Sequence, residues 1–129
     1  MPRIVTAIAA LGLAGLCATP SLAWLAPNQL RVDGPAEDFT VDYRPSNTMD
    51  DYWCAAGEYT INHLHLHPTT RIYRTTGSSP RAIGEMRFSV LADRASGDTG
   101  VVSIGRDDGG FTAAHAQAMC ELTWPLLID

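Results

Sequence analysis

Hydrophobic and polar positions alternate along DFTVDY, Asp38 to Tyr43, with Phe39, Val41 and Tyr43 on one side and Thr40 and Asp42 on the other. Successive side chains of a strand point to opposite faces, so this stretch predicts a half-buried strand. The segment RPSNTMDD that follows ends it and starts a helix: Asn47 or Thr48 can serve as N-cap, and Asp50 and Asp51 complement the positive end of the first turn. From there the period changes. At about 100° per residue, Trp53, Cys54, Gly57, Thr60, Ile61 and Leu64 share one face, while Asp51, Ala55, Glu58 and Asn62 lie opposite. Glycine costs a helix up to about 1 kcal/mol, so Gly57 on the packed face points to a close approach by another element.

Three more strands are expected beyond this helix: TTRIYRT, EMRFSVLA with Met86, Phe88 and Val90 inward, and GVVSIG. The turn-rich loops TGSSPRAIG and DRASGDTG separate them. In RDDGGFTAAHAQAMCEL, Gly109 and Gly110 offer a turn and Thr112 an N-cap, and Ala113, Ala116, Met119 and Cys120 form the inner side of a second helix. Small residues on that side match Gly57 in allowing close contact. The two flanks carry no period. Residues 24–36, with Pro27, Gly34 and Pro35, read as an irregular lead-in, and TWPLLID, residues 123–129, as an apolar tail. The expectation is a single small α+β domain over residues 24–129, with about four mostly antiparallel strands and two helices joined by one disulfide.

Residues 1–23 read differently. Arg3 precedes an apolar run from Ile4 to Leu16, then come Pro20 and small residues at Ser21 and Ala23. That is the layout of a secretory signal peptide, with cleavage expected between Ala23 and Trp24. The apolar run is shorter than the roughly 20 residues of a membrane span, which argues against a retained anchor. Cys17 raises the alternative of a lipid-modified cysteine, but Leu16 stands where such sites carry a small residue. Cleavage predicts a periplasmic or secreted protein with no stable membrane insertion. Losing Arg3 leaves eight arginines against 14 acids, a formal charge of −6. Such a balance disfavours nucleic acid and anionic membrane surfaces as partners.

Of the three cysteines, Cys17 falls in the leader, and Cys54 and Cys120 remain. An even pair in a short exported chain predicts a bridge. Closing a loop of roughly 66 residues, it contributes about 4 kcal/mol on the chain-entropy model. That is a large share of stability for a chain of this size.

Candidate chemistry is concentrated in INHLHLHP, which holds three of the four histidines. If this segment is extended, His63, His65 and His67 point the same way and could hold Zn²⁺ or Cu²⁺, with His115 as a possible fourth ligand. If the helix ends near Leu64, His65 and His67 lie in its exit loop, where Pro68 disfavours helix at His67. Trp124, Leu126 and Leu127 of the tail are candidate partner-binding residues, the alternative being a tail docked on the core. Other patterns are missing: no HExxH, no GxSxG, and no calcium-loop spacing among Asp93, Asp98, Asp107 and Asp108.

With DYWCAAGEY, Asp51 to Tyr59, followed by TRIYR and a second helix ending in Cys120, the chain resembles a group of small exported proteins of Gram-negative bacteria. The resemblance spans roughly Phe39 to Cys120. It implies the bridge and the envelope address, and it brings no reaction, ligand or catalytic residue. The function expected is therefore that of a periplasmic, non-enzymatic binding or interaction module acting on an envelope partner without a cofactor. The alternative is a periplasmic metal-binding protein using the HLHLH cluster.

Overall fold

The computed structural model describes residues 23–75, 84–101 and 107–121. Its elements run β1 (Trp24–Leu25), β2 (Arg31–Asp33), β3 (Phe39–Asp42), α1 (Met49–Glu58) with a π-helical turn (Tyr59–His63), β4 (Arg71–Arg74), β5 (Glu85–Ser89), a 3-10 turn (Ala92–Arg94), β6 (Gly110–Thr112) and α2 (Ala113–Ala118). The α+β class is as expected, with two helices and a Cys54–Cys120 bridge between them.

The strand count is a correction. Among the described residues the sheet has six strands in the order β1-β2-β3-β5-β4-β6, each neighbouring pair antiparallel. Two of them, β1 and β2, lie within the lead-in expected to be irregular. They form because the Ala26–Leu30 turn folds Trp24 back onto Val32, the Ala26 N–H donating to the Leu30 carbonyl at 2.9 Å. The sixth, β6, occupies Gly110, which had been expected in a turn. GVVSIG is described only at Gly100 and Val101, which are not strand, and its remaining residues lie outside the described set.

Alternation sets the buried face where it was expected. Phe39 pairs with Phe88 and Val41 with Met86, and all four are fully buried. Val90 lies past the end of β5, half-buried, its N–H donating to the Ala36 carbonyl. Trp53 fills the space above the sheet, edge-on to Phe88 and to Phe111 with centroids 4.9 Å away in each case. Its indole N–H donates to the Thr99 carbonyl at 2.9 Å, so the largest core side chain leaves no buried donor unmet.

Thr48 caps α1 and its N–H donates to Asp51 Oδ2 at 2.9 Å. The wheel placed Ala55 on the solvent side, but it is fully buried, as are Tyr52 and Ala56. The reason is that α1 lies between the sheet and α2, so it is covered on two sides. Small residues make that possible. A Cβ added at Gly57 would stand 2.5 Å from the Gln117 nitrogen and 2.9 Å from the Ala113 oxygen, both backbone atoms of α2. One turn along, Cys54 and Cys120 bring their Cα atoms to 4.8 Å. The cap of α2 is Thr112, whose hydroxyl accepts the His115 N–H at 3.2 Å.

Candidate functional site

The histidine segment is placed by what ends α1. Thr60 turns its hydroxyl back onto the Ala56 carbonyl at 2.8 Å, and the Leu64 N–H reaches five residues back to the Tyr59 carbonyl at 2.9 Å. The helix therefore widens into a π turn before stopping at Leu64, one of the two outcomes the sequence left open. His65 then takes a left-handed backbone with φ of 56°, which breaks any extended run through HLHLH.

The three histidines consequently go to different surroundings. His63 stacks on Tyr59 at 4.8 Å and tilts against Trp24 at 6.0 Å. His67 accepts the Thr69 N–H at Nδ1 at 3.1 Å, with the Thr69 hydroxyl 2.7 Å from the same nitrogen. His65 is exposed in the exit loop. His115 lies elsewhere, stacked on Phe111 at 4.7 Å. Among the described residues no three His, Cys, Asp or Glu side chains come together in a way that could hold an ion. The parallel alignment that an extended backbone would give these imidazoles is not adopted.

Beneath His63 the aromatic cluster continues inward. Tyr59 is buried, 5.7 Å from Trp24 and 5.2 Å from Phe39, and its hydroxyl donates to the Gly34 carbonyl at 2.6 Å. Burial, and after it the nearby Asp33 carboxylate, push this phenol up, which keeps it a donor. No hydrophobic period announces this cluster, because Trp24 lies in a segment without one.

Three of the aspartates weighed for calcium, Asp98, Asp107 and Asp108, have protein partners of their own. Asp107 accepts the Gly109 N–H at 2.9 Å and, at 3.1 Å each, the N–H and hydroxyl of Thr99. Burial pushes this carboxyl up, but those three donors, with Arg74 nearby, outweigh it and hold the group below its ordinary value. Asp108 pairs with Arg71 at 2.7 Å, and Asp98 accepts the Gly100 N–H at 2.7 Å. Asp107 thus fixes the loop whose Thr99 carbonyl receives Trp53. An Asp two residues before a Gly was the available signal for that turn.

The other feature not foreseen is an open cleft of about 410 Å³ where α2 meets the end of α1, lined by Glu58, Ala114, Gln117, Ala118, Cys120 and Glu121. Glu58 is half-buried there, with Oε2 accepting from Asn62 Nδ2 and Oε1 facing the bridge, 3.9 Å from Cys120 Sγ. The tail residues Trp124, Leu126 and Leu127 lie outside the described residues, as does the leader up to Leu22. Compared with protein-family models, curated proteins and solved structures, the chain matches none.

Proposed function

We propose that this chain is exported, loses its leader between Ala23 and Trp24, and works in the periplasm as a small binding or interaction module of the cell envelope. The observation that carries this reading is the Cys54–Cys120 bridge, set between the two helices. Such a crosslink forms and persists in oxidising compartments and is rare in reducing ones. The position of Trp24 is in keeping with it: Trp24 opens β1 and packs on Tyr59, so a cut just before it keeps that strand and its contact.

The interaction half of the proposal rests on what the sheet displays. With α1 on one face, exposed Arg31, Asp33, Asp42, Arg71 and Arg87 stand on the other. Charges of both signs on an open sheet suit a protein partner better than a polyanion or a lipid surface. The apolar tail with Trp124, Leu126 and Leu127 offers a second contact of different chemistry.

Fractionation of cells producing the untagged chain tests both halves. The expected product is periplasmic, begins at Trp24 and is oxidised. A photo-crosslinking residue replacing Arg87 is expected to give one discrete adduct in intact cells. A product retaining its leader, or a reduced one, refutes the address; no adduct from the sheet face and no effect of deleting residues 123–129 refutes the interaction.

A further inference from the structure

We propose that the Cys54–Cys120 bridge is a thiol-exchange site entered at Cys120, and that Glu58 and Glu121 select the entering thiol by its charge, favouring thiols that carry a neighbouring cation. The two cysteine residues are placed unequally. Cys54 is 1% exposed and Cys120 9%, and of the two Cys120 lines the cleft. A nucleophile coming from solvent therefore meets Cys120 first.

The cleft walls give that route a sign. Among the described residues its lining includes two carboxylates, Glu58 and Glu121, and no cationic side chain. Glu58 is held in place: Asn62 engages one carboxylate oxygen while the other stays 3.9 Å from Cys120 Sγ. A bridged sulfur carries no proton, so that contact is no hydrogen bond. It is a fixed negative charge beside the atom that an incoming thiolate must attack.

The chemistry balances with the thiol as reductant. A thiolate attacks Cys120 Sγ, forming a mixed disulfide as the Cys54–Cys120 bond breaks, and Cys54 leaves with the electron pair and takes up a proton. A second equivalent of the thiol then attacks the mixed disulfide and releases Cys120, so the protein gains two electrons and two protons while two thiols become one disulfide. The attacking species is anionic at sulfur, and each further negative charge on it meets both carboxylates. At roughly 7 Å in water one such pair changes the rate about threefold. Two carboxylates give roughly 5- to 10-fold per added charge at low salt, fading as ions screen them.

The experiment uses the oxidised chain of residues 24–129 and three small thiols whose thiolates carry net charges of 0, −1 and −2: cysteamine, 2-mercaptoethanol and mercaptoethanesulfonate. Second-order rates, corrected for the fraction of thiolate, are measured at low and at 1 M sodium chloride, and again on the chain unfolded in urea. The expected result is a fall of roughly 5- to 10-fold per added charge on the folded protein at low salt, flattening at high salt and on the unfolded chain. Mass spectrometry of the trapped intermediate places the adduct on Cys120. Glu58→Gln with Glu121→Gln keeps the shape of the cleft and reduces the dependence by at least half. If those variants do not fold, the salt series on the wild type decides alone. Equal charge dependence in folded and unfolded chains, no response to salt, or a first adduct on Cys54 overturns the proposal.

Discussion

Replacing Gly57 with alanine tests the packing of the two helices, because its outcome has opposite signs under the two readings of that glycine. In an exposed helix the substitution stabilises by up to about 1 kcal/mol. Here the new Cβ would lie 2.5 Å from the Gln117 nitrogen, 2.9 Å from the Ala113 oxygen and 2.9 Å from the Ala116 carbonyl carbon. All three belong to the α2 backbone, so no side chain can rotate away. Relief requires α2 to retreat by several tenths of an ångström, and the Cys54–Cys120 bridge resists that one turn away. Overpacking of this kind costs about 1–3 kcal/mol. Against the propensity gain, the net expectation is a loss of about 1–2 kcal/mol, which for a domain of this size lowers Tm by roughly 5–15 °C. Urea denaturation of oxidised wild type and Gly57→Ala at equal m-values measures it. Repeating both in a Cys54→Ala, Cys120→Ala background should shrink the cost, since α2 is then free to shift. A Gly57→Ala protein more stable than wild type would refute the close approach.

The Asp107 loop is expected to show as a pH dependence. Its folded pKa lies below the ordinary 3.8, so its stabilising contribution is complete above that value and is lost as pH falls through the folded pKa. Asp107→Asn should therefore be less stable than wild type near pH 6, the gap closing below about pH 4; a gap independent of pH down to pH 2 contradicts the assignment. For the histidines, calorimetric titration of Zn²⁺ or Cu²⁺ into tag-free protein should reveal no one-to-one complex of submicromolar affinity. A tight single site abolished by His63→Ala, His65→Ala and His67→Ala together would show that the exit loop rearranges to bring the imidazoles together.

What could be read from the sequence follows the length of each element. DFTVDY and EMRFS are long enough for a period of two to show, and their inward residues Phe39, Val41, Met86 and Phe88 are the buried ones. β1, β2 and β6 have two or three residues each, which is too short for any period, and Pro27, Gly34 and Gly110 around them signal loops. Ala55 was assigned to solvent because a wheel assumes one buried face, whereas α1 is covered on two. The bridge was legible because a count of cysteines needs no geometry. Its cleft was not, since Glu58 and Glu121 are far apart in the chain and meet only when Gly57 lets α2 come close. The histidine run stayed ambiguous because its outcome depended on Thr60 and on the left-handed backbone of His65, neither of which a hydrophobic pattern registers.

The sheet order has a kinetic consequence. Strands β1, β2 and β3 are a local meander that can pair as soon as residues 24–42 are available, but the next partner of β3 is β5, at residues 85–89. All of α1 and β4 intervene, so the middle of the sheet closes only after a long loop has been ordered. Until then β3 lacks its partner on the side away from β2, and the early meander presents that open edge, with Phe39 and Val41 on it, to whatever else is nearby. A chain that emerges from its N-terminus spends its first moments as that incomplete sheet, and it is in this interval, before β5 arrives, that misassembly competes most strongly with folding.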